Sequence, residues 1–160
     1  MKAYLATRGL TALIAGVIAV GSAAAQADDD GGGKVVISTS LAPAAIGPYS
    51  QAIRVGRTVY VSGEVGIDPT TGNFKGPLIG DQTDQALMNV AAILAAAGLT
   101  LDNVVATTVY LLDIKDFAAM NVAYRTHFTN APPARATIQV TAFPKNGTLV
   151  EISAIAVDDR

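Results

Sequence analysis

The chain has 160 residues, with 11 basic and 13 acidic side chains, one histidine and no cysteine. Without cysteine there can be no disulfide, zinc thiolate or cysteine nucleophile, and one histidine is a poor start for a transition-metal site. A formal net charge of −2 leaves no basic footprint for nucleic acid.

Residues 1–27 are expected to be a secretory signal peptide. Lys2 and Arg8 form a positive start, residues 10–20 an apolar run, and Ser22-Ala23-Ala24-Ala25-Gln26-Ala27 a small-residue cleavage site after Ala25 or Ala27. The apolar run is short for a membrane span, and no later stretch is long and apolar enough to cross one. The expected destination is therefore periplasmic or secreted, with no membrane association after cleavage. Asp28-Asp29-Asp30-Gly31-Gly32-Gly33 is charged, polar and glycine-rich, so residues 28–33 are expected to be a disordered linker rather than a metal site. Residues 34–160 are the length of one domain. Loss of Lys2 and Arg8 takes the net charge from −2 to −4.

Residues 34–38 read as a short strand, followed by a proline-containing loop over 42–48. Residues 49–55 and 58–63 read as a hairpin closed at Gly56-Arg57. Asp68-Pro69-Thr70-Thr71-Gly72 is a turn. Asp81 is expected to cap a helix running to Ala97, with Leu87, Val90, Ala91, Leu94 and Ala97 as its apolar stripe and Gly98 as its stop. Residues 104–112 form a β-branched strand. Asp116 opens a second helix with Phe117, Met120, Tyr124 and Phe128 on one face, and two strands follow. One helix in each crossover predicts an α+β fold, a single mixed sheet with both helices on one face.

Alternation on the strand after Pro132-Pro133 sends Arg135, Thr137, Gln139 and Thr141 to one face and Ala136, Ile138, Val140 and Ala142 to the other. The apolar set is expected under the helices. On the last strand Glu151 shares a face with Leu149, Ser153, Ile155 and Val157. That mixed face is too apolar for bare solvent, so self-association through the open sheet face is expected. A guanidinium and a carboxylate on neighbouring strands could hold a small acid and a water. Arg135 suits a bidentate carboxylate, or equally a structural ion pair with Glu151 or an aspartate. Glu151 suits proton management at a water, or equally a charge paired to a basic neighbour.

Several motifs occur in order: Ala44-Ala45-Ile46-Gly47-Pro48-Tyr49-Ser50-Gln51-Ala52, Val61-Ser62-Gly63, the Asn121-containing helix, Pro133-Ala134-Arg135, and Glu151-Ile152-Ser153-Ala154-Ile155-Ala156-Val157. Together they resemble the reactive intermediate deaminase (RidA) family from about residue 38 to 157. The resemblance implies a chorismate-mutase-like fold and a homotrimer whose sheets form a central barrel with clefts between subunits. It implies hydrolysis of 2-imino acids and their enamine tautomers to 2-oxo acids and ammonia, with no cofactor and no metal. Carried over by position, Arg135 and the amide of Gly63 would hold the substrate carboxylate. Glu151 and the carbonyl of Thr137 would hold the water, and Tyr49 would line the site. Asn121, on the second helix's apolar stripe, suits loop support as well as ligand contact. His127 is expected to serve the helix end rather than catalysis.

Three departures stand out. Glu64 replaces the family's usual glutamine, and its carboxylate would either repel an acidic substrate or face solvent. The Lys145-Asn146-Gly147-Thr148 turn is one residue longer, and the segment before Pro132 lacks an aromatic residue. The rival readings are a non-enzymatic trimer that binds small carboxylates or acts as an envelope holdase, and hydrolysis of another small C–N compound by the same residues.

Overall fold

The computed structural model describes residues 33–160. The expected signal peptide, and all of the expected linker but Gly33, lie outside the described residues. Six strands form one sheet: β1 (Val35–Ile37), β2 (Ala52–Val55), β3 (Thr58–Val65), β4 (Val104–Leu111), β5 (Ala134–Gln139) and β6 (Val150–Val157). Two α-helices cross between strands, α1 (Ile79–Ala96) and α2 (Phe117–His127). The spatial order is β1-β2-β3-β6-β4-β5, antiparallel except for the β4–β5 pair.

This order follows from the connections. A helix between β4 and β5 returns the chain in the same direction, so these strands pair in parallel. β6 then enters between β3 and β4 and runs antiparallel to both. Arg135 and Glu151 are therefore not on neighbouring strands as expected: β4 lies between them.

Local signals act where they were expected. Gly56 turns the β2–β3 hairpin with φ +54°, and Gly98 stops α1 with φ +75°, backbone conformations that disfavour any side chain. α1 begins two residues before Asp81, which falls in the first turn rather than at the cap. A short 3₁₀ turn, Ile114–Asp116, leads into α2, and its cap is Asp113, which accepts from the Lys115 amide at 2.9 Å.

The core lies between the helices and one sheet face. Leu87, Val90, Ile93 and Leu94 of α1 meet Val59, Val61, Val109, Ile152 and Ala154 of the sheet. Burying each large aliphatic side chain contributes about 1.5–3 kcal/mol. The opposite face carries exposed Tyr60, Val105, Ile138 and Ile155. The face expectation for β5 is thus reversed. Ile138, 48% exposed, is on the open face, where it shares a register row with Tyr110 and Glu151. Arg135 shares a row with buried Thr107 and Ala154, so Arg135 and Thr137 lie on the helix side. For β6 the expectation holds for Ser153, Ile155 and Val157, which share the open face with Glu151, but not for Leu149, which precedes the strand and packs against the core.

Candidate functional site

β3 and β6 slip out of register at Ser62-Gly63. Val61 pairs with Ala154 and Glu64 with Ile152, so β3 holds one residue more than its partner across the same interval. This β-bulge has two consequences. Simple alternation from Val59 and Val61 would turn residue 64 outward; the extra residue turns Glu64 inward, and it is only 5% exposed. It also brings Gly63 under Glu151, whose carboxyl fills the space that a Cβ at residue 63 would need. Glycine is required there by close packing against a catalytic candidate.

A cavity of about 130 Å³ opens at this bulge. Gly63, Glu64, Glu151, Thr148 and Tyr49 line it, together with the loop at 43–46. Tyr49 is half exposed, and its Oη accepts from the Ile46 amide at 3.3 Å, which ties the ring to the loop it closes. Burial pushes the Glu151 carboxyl above its ordinary range. Glu64 is pushed further, to about 8, first by burial and second by the neighbouring Glu151. Two carboxyls in one apolar cavity cannot both ionise cheaply near neutral pH. The expectation that Glu64 faces solvent therefore fails: it is buried, and that burial raises its pKa to about 8.

Buried amides that the sequence reading did not assign build the walls. Gln51 accepts from the Thr39 amide at 2.7 Å and donates to the carbonyls of Thr39, Ala42 and Pro43, which fixes the loop above the cavity. Gln82 of α1 accepts from the Leu149 amide and donates to the Gly147 carbonyl, both at 2.9 Å, and so sets Thr148 between them. Asn89 donates to the carbonyls of Val65 and Ile67, each at 2.9 Å, which satisfies the chain leaving β3. The available signal was three amides, Gln82, Gln85 and Asn89, on the buried side of an otherwise apolar helix.

Arg135 lies elsewhere. Its guanidinium carbon is 4.5 Å from the Tyr124 ring centroid and 5.7 Å from that of Phe117, within cation–π range of both α2 rings. Tyr124 is held in turn by a 2.7 Å bond between its Oη and Thr107 Oγ1. Arg135 forms no ion pair among the described residues, so the structural alternative of a bridge to Glu151 or an aspartate does not apply there. Asn121 stands one turn from Phe117 on the same helix face, half-buried, and makes no side-chain hydrogen bond among the described residues. The expected loop support is not formed.

Thr137 follows Arg135 by one alternation on edge strand β5. The Val140 amide donates to the Leu111 carbonyl at 2.9 Å, so strand alternation turns the Thr137 carbonyl to the unpaired edge. His127 is structural, with Nε2 2.7 Å from Asp84 Oδ1, linking the end of α2 to α1.

The candidate residues thus fall into two sets. Tyr49, Gly63 and Glu151 meet at the bulge cavity. Arg135, Thr137 and Asn121 belong to the β5–α2 edge. Two strand spacings, about 10 Å, and the sheet itself separate the sets within one chain.

Residues 39–158 match the family model described as Endoribonuclease L-PSP. The chain is 53% identical over 122 residues to a mouse protein named 2-iminobutanoate/2-iminopropanoate deaminase, an overlap of 76% of this chain and 90% of that protein. Among solved structures it is similar to YyfA of the conserved Rid protein family from Yersinia pestis, at 43% identity and TM-score 0.75, covering 79% of this chain and all of that one. It is also similar to E. coli TdcF with bound serine, at 38% identity and TM-score 0.74, covering 78% and 99%.

Proposed function

The chain belongs to the Endoribonuclease L-PSP family, and from that premise we propose that it is a 2-iminobutanoate/2-iminopropanoate deaminase-like hydrolase, converting reactive 2-imino acids and enamines to 2-oxo acids and ammonia. The observation that carries this reading is the bulge cavity, where Glu151 is packed against Gly63 and burial raises its pKa above the ordinary range. A carboxylate of raised pKa is a competent base for water. The name of the mouse relative supports the imine substrate class, and bound serine in TdcF supports a small amino-acid-like ligand.

In this reading the site forms between copies of the chain. One copy supplies Tyr49, Gly63 and Glu151; its neighbour brings the β5 edge with Arg135 and Thr137. The exposed apolar open face favours such an assembly, which we infer to be a homotrimer. Arg135 and the Gly63 amide hold the substrate carboxylate, and Glu151 and the Thr137 carbonyl hold the water that attacks the C=N carbon. An arginine already spread across two aromatic faces loses little freedom on binding, because its fork is pre-oriented.

Mixing inactive variants tests the shared site. Arg135→Ala and Glu151→Gln, each expected to be inactive alone, are denatured together and refolded. Imines made in place by an amino-acid oxidase report turnover through release of 2-oxo acid. In three-membered rings with random mixing, roughly a quarter of wild-type activity should return, because some sites then combine an intact Arg135 with an intact Glu151. No return of activity counts against the shared site, and an inert wild type counts against the deaminase reading. Export is proposed on the leader pattern alone. Mass spectrometry of the exported protein should find a start after Ala25 or Ala27, and a full-length cytoplasmic chain would oppose it.

A further inference from the structure

The bulge cavity has walls that the scheme above does not use. It lies at the last rungs of the β3–β6 ladder, where Glu64 pairs with Ile152 and Val65 with Glu151. The sheet ends there, so residues from both of its faces line one space. Much of that space is apolar, walled by Ala45, Ile46, Val65, Ile67 and Phe143. Thr148 stands among them, 2% exposed, and its Oγ1 is buried with no hydrogen-bond partner among the described residues.

The neighbouring polar groups are already engaged. Gln82 accepts from the Leu149 amide and donates to the Gly147 carbonyl, each at 2.9 Å, so the backbone on both sides of Thr148 is held by one side chain. The Gln51 amide donates to the loop carbonyls of Thr39, Ala42 and Pro43. Lys145 turns its ammonium to the Phe74 ring and the Gly72 carbonyl. A β-branched side chain on a fixed backbone is stiff at χ1, so the hydroxyl stays where it is. Valine has the same shape and no group to leave unpaired, and an unpaired buried hydroxyl weakens a fold. Packing alone therefore favours valine at this position. The hydroxyl is a donor and acceptor left for something that enters the cavity.

Resting on the deaminase reading, we propose that this cavity receives the substrate's side chain and that Thr148 makes it selective. The preferred 2-imino acids carry a neutral hydrogen-bonding tip, a hydroxyl or a carboxamide, on a short apolar stem. The apolar walls take the stem, and a volume of about 130 Å³ limits its length. The Thr148 hydroxyl both donates and accepts, so it meets either tip. An anionic tip is disfavoured, because two carboxyls line the same cavity and no cation is paired with them among the described residues. An alkyl tip leaves the hydroxyl unpaired, and a site that hydrogen-bonds one substrate discriminates against the analogue lacking that group. Thr148 touches no reacting atom in this scheme. It sets specificity, and Glu151 keeps the chemistry.

Two imines that differ only in the tip test this. An amino-acid oxidase makes 2-imino-4-hydroxybutanoate from homoserine and 2-iminopentanoate from norvaline, with 2-iminopropanoate from alanine as the small reference. Rates are measured above spontaneous hydrolysis. Wild type should prefer the hydroxylated imine to its alkyl counterpart by about tenfold in kcat/KM, the scale of one hydrogen bond in a dry site, with the difference carried by KM. Thr148→Val should abolish that preference: KM for the hydroxylated imine rises about tenfold, and the alkyl imine gains. Thr148→Ser retains a hydroxyl and should retain the preference. A wild type active on both longer imines without preference overturns the role of Thr148 and leaves the deaminase reading standing. So does a Thr148→Val variant that keeps the preference or slows both imines equally. Turnover of 2-iminopropanoate with none of either longer imine overturns the side-chain pocket in the same way. If Thr148→Val does not fold, Thr148→Ala removes the same hydroxyl and is judged by the same outcomes. A wild type inert toward all three imines sinks both readings together.

Discussion

The two halves of the candidate site solve opposite electrostatic problems. At the β5–α2 edge a permanent cation is kept half-exposed, spread over Tyr124 and Phe117, with no anion committed to it among the described residues. At the β3 bulge two carboxyls line an apolar cavity, with no cation committed to them among the described residues. The first arrangement keeps a charge available for a charged ligand. The second suppresses charge and so stores a proton near neutral pH. Each region leaves unmet what the other, or a substrate, would supply.

Substitutions of the largest expected effect break the two halves differently. Glu151→Gln removes the base and should cost about 10²–10⁴-fold in turnover while a 2-oxo acid still binds. Arg135→Ala removes the carboxylate's partner and should cost about 2–5 kcal/mol, roughly 30- to several-thousand-fold, with binding lost as well. Calorimetry with a 2-oxo acid, run beside the coupled assay, separates these outcomes. Equal loss of binding in both variants would remove the distinction between the halves.

Next in size is a stability effect confined to the bulge. Burial, with Glu151 beside it, raises the folded pKa of Glu64 from the ordinary 4.5 to about 8. An acid with a raised folded pKa favours the native state fully below its unfolded pKa. That contribution is lost as pH climbs through the folded value. Unfolding free energy should therefore fall between about pH 4.5 and pH 8 by on the order of a few kcal/mol, less what other groups offset, and the melting temperature should fall with it. Glu64→Gln should flatten this slope, whereas Arg135→Ala should leave it in place. A slope that survives Glu64→Gln belongs to another group.

The sequence made the elements legible and the site only in part. Gly56 and Gly98 punctuate as glycine must where φ is positive, and the stripe of Leu87, Val90 and Leu94 turns into the core. Strand order was not legible, because no local pattern says that β6 enters between β3 and β4. The facing of β5 was misread because period-two alternation defines two faces without saying which is inward. Ile138 looked like a core residue, but the open face also carries apolar side chains, while the stem of Arg135 packs on aromatic rings. Glu64 was misplaced for a sharper reason. One extra residue at Ser62-Gly63 reverses the alternation, and a glycine is its only local sign. The amides of Gln51, Gln82 and Asn89 act on partners far along the chain, which periodicity cannot reveal.

The smallest predicted effect carries the comparison down to a single atom. Thr107 and Thr148 are both buried threonines, one in each region. Thr107 Oγ1 shares a 2.7 Å hydrogen bond with Tyr124 Oη under Arg135, whereas Thr148 Oγ1 has no partner in the cavity wall. Valine keeps the shape and removes the hydroxyl. At position 107 the change orphans a buried phenol and should cost about 1–3 kcal/mol. At position 148 it deletes an unsatisfied group and should stabilise the fold by about 1 kcal/mol. Thermal melts of the two variants should thus shift in opposite directions. Kinetics should separate them as well: Thr148→Val should raise KM if the hydroxyl meets bound substrate, and Thr107→Val should act through the ring that holds Arg135. Destabilisation by Thr148→Val in the absence of any ligand would mean that its hydroxyl is already satisfied, and the contrast between a bonded edge and a waiting cavity would not hold.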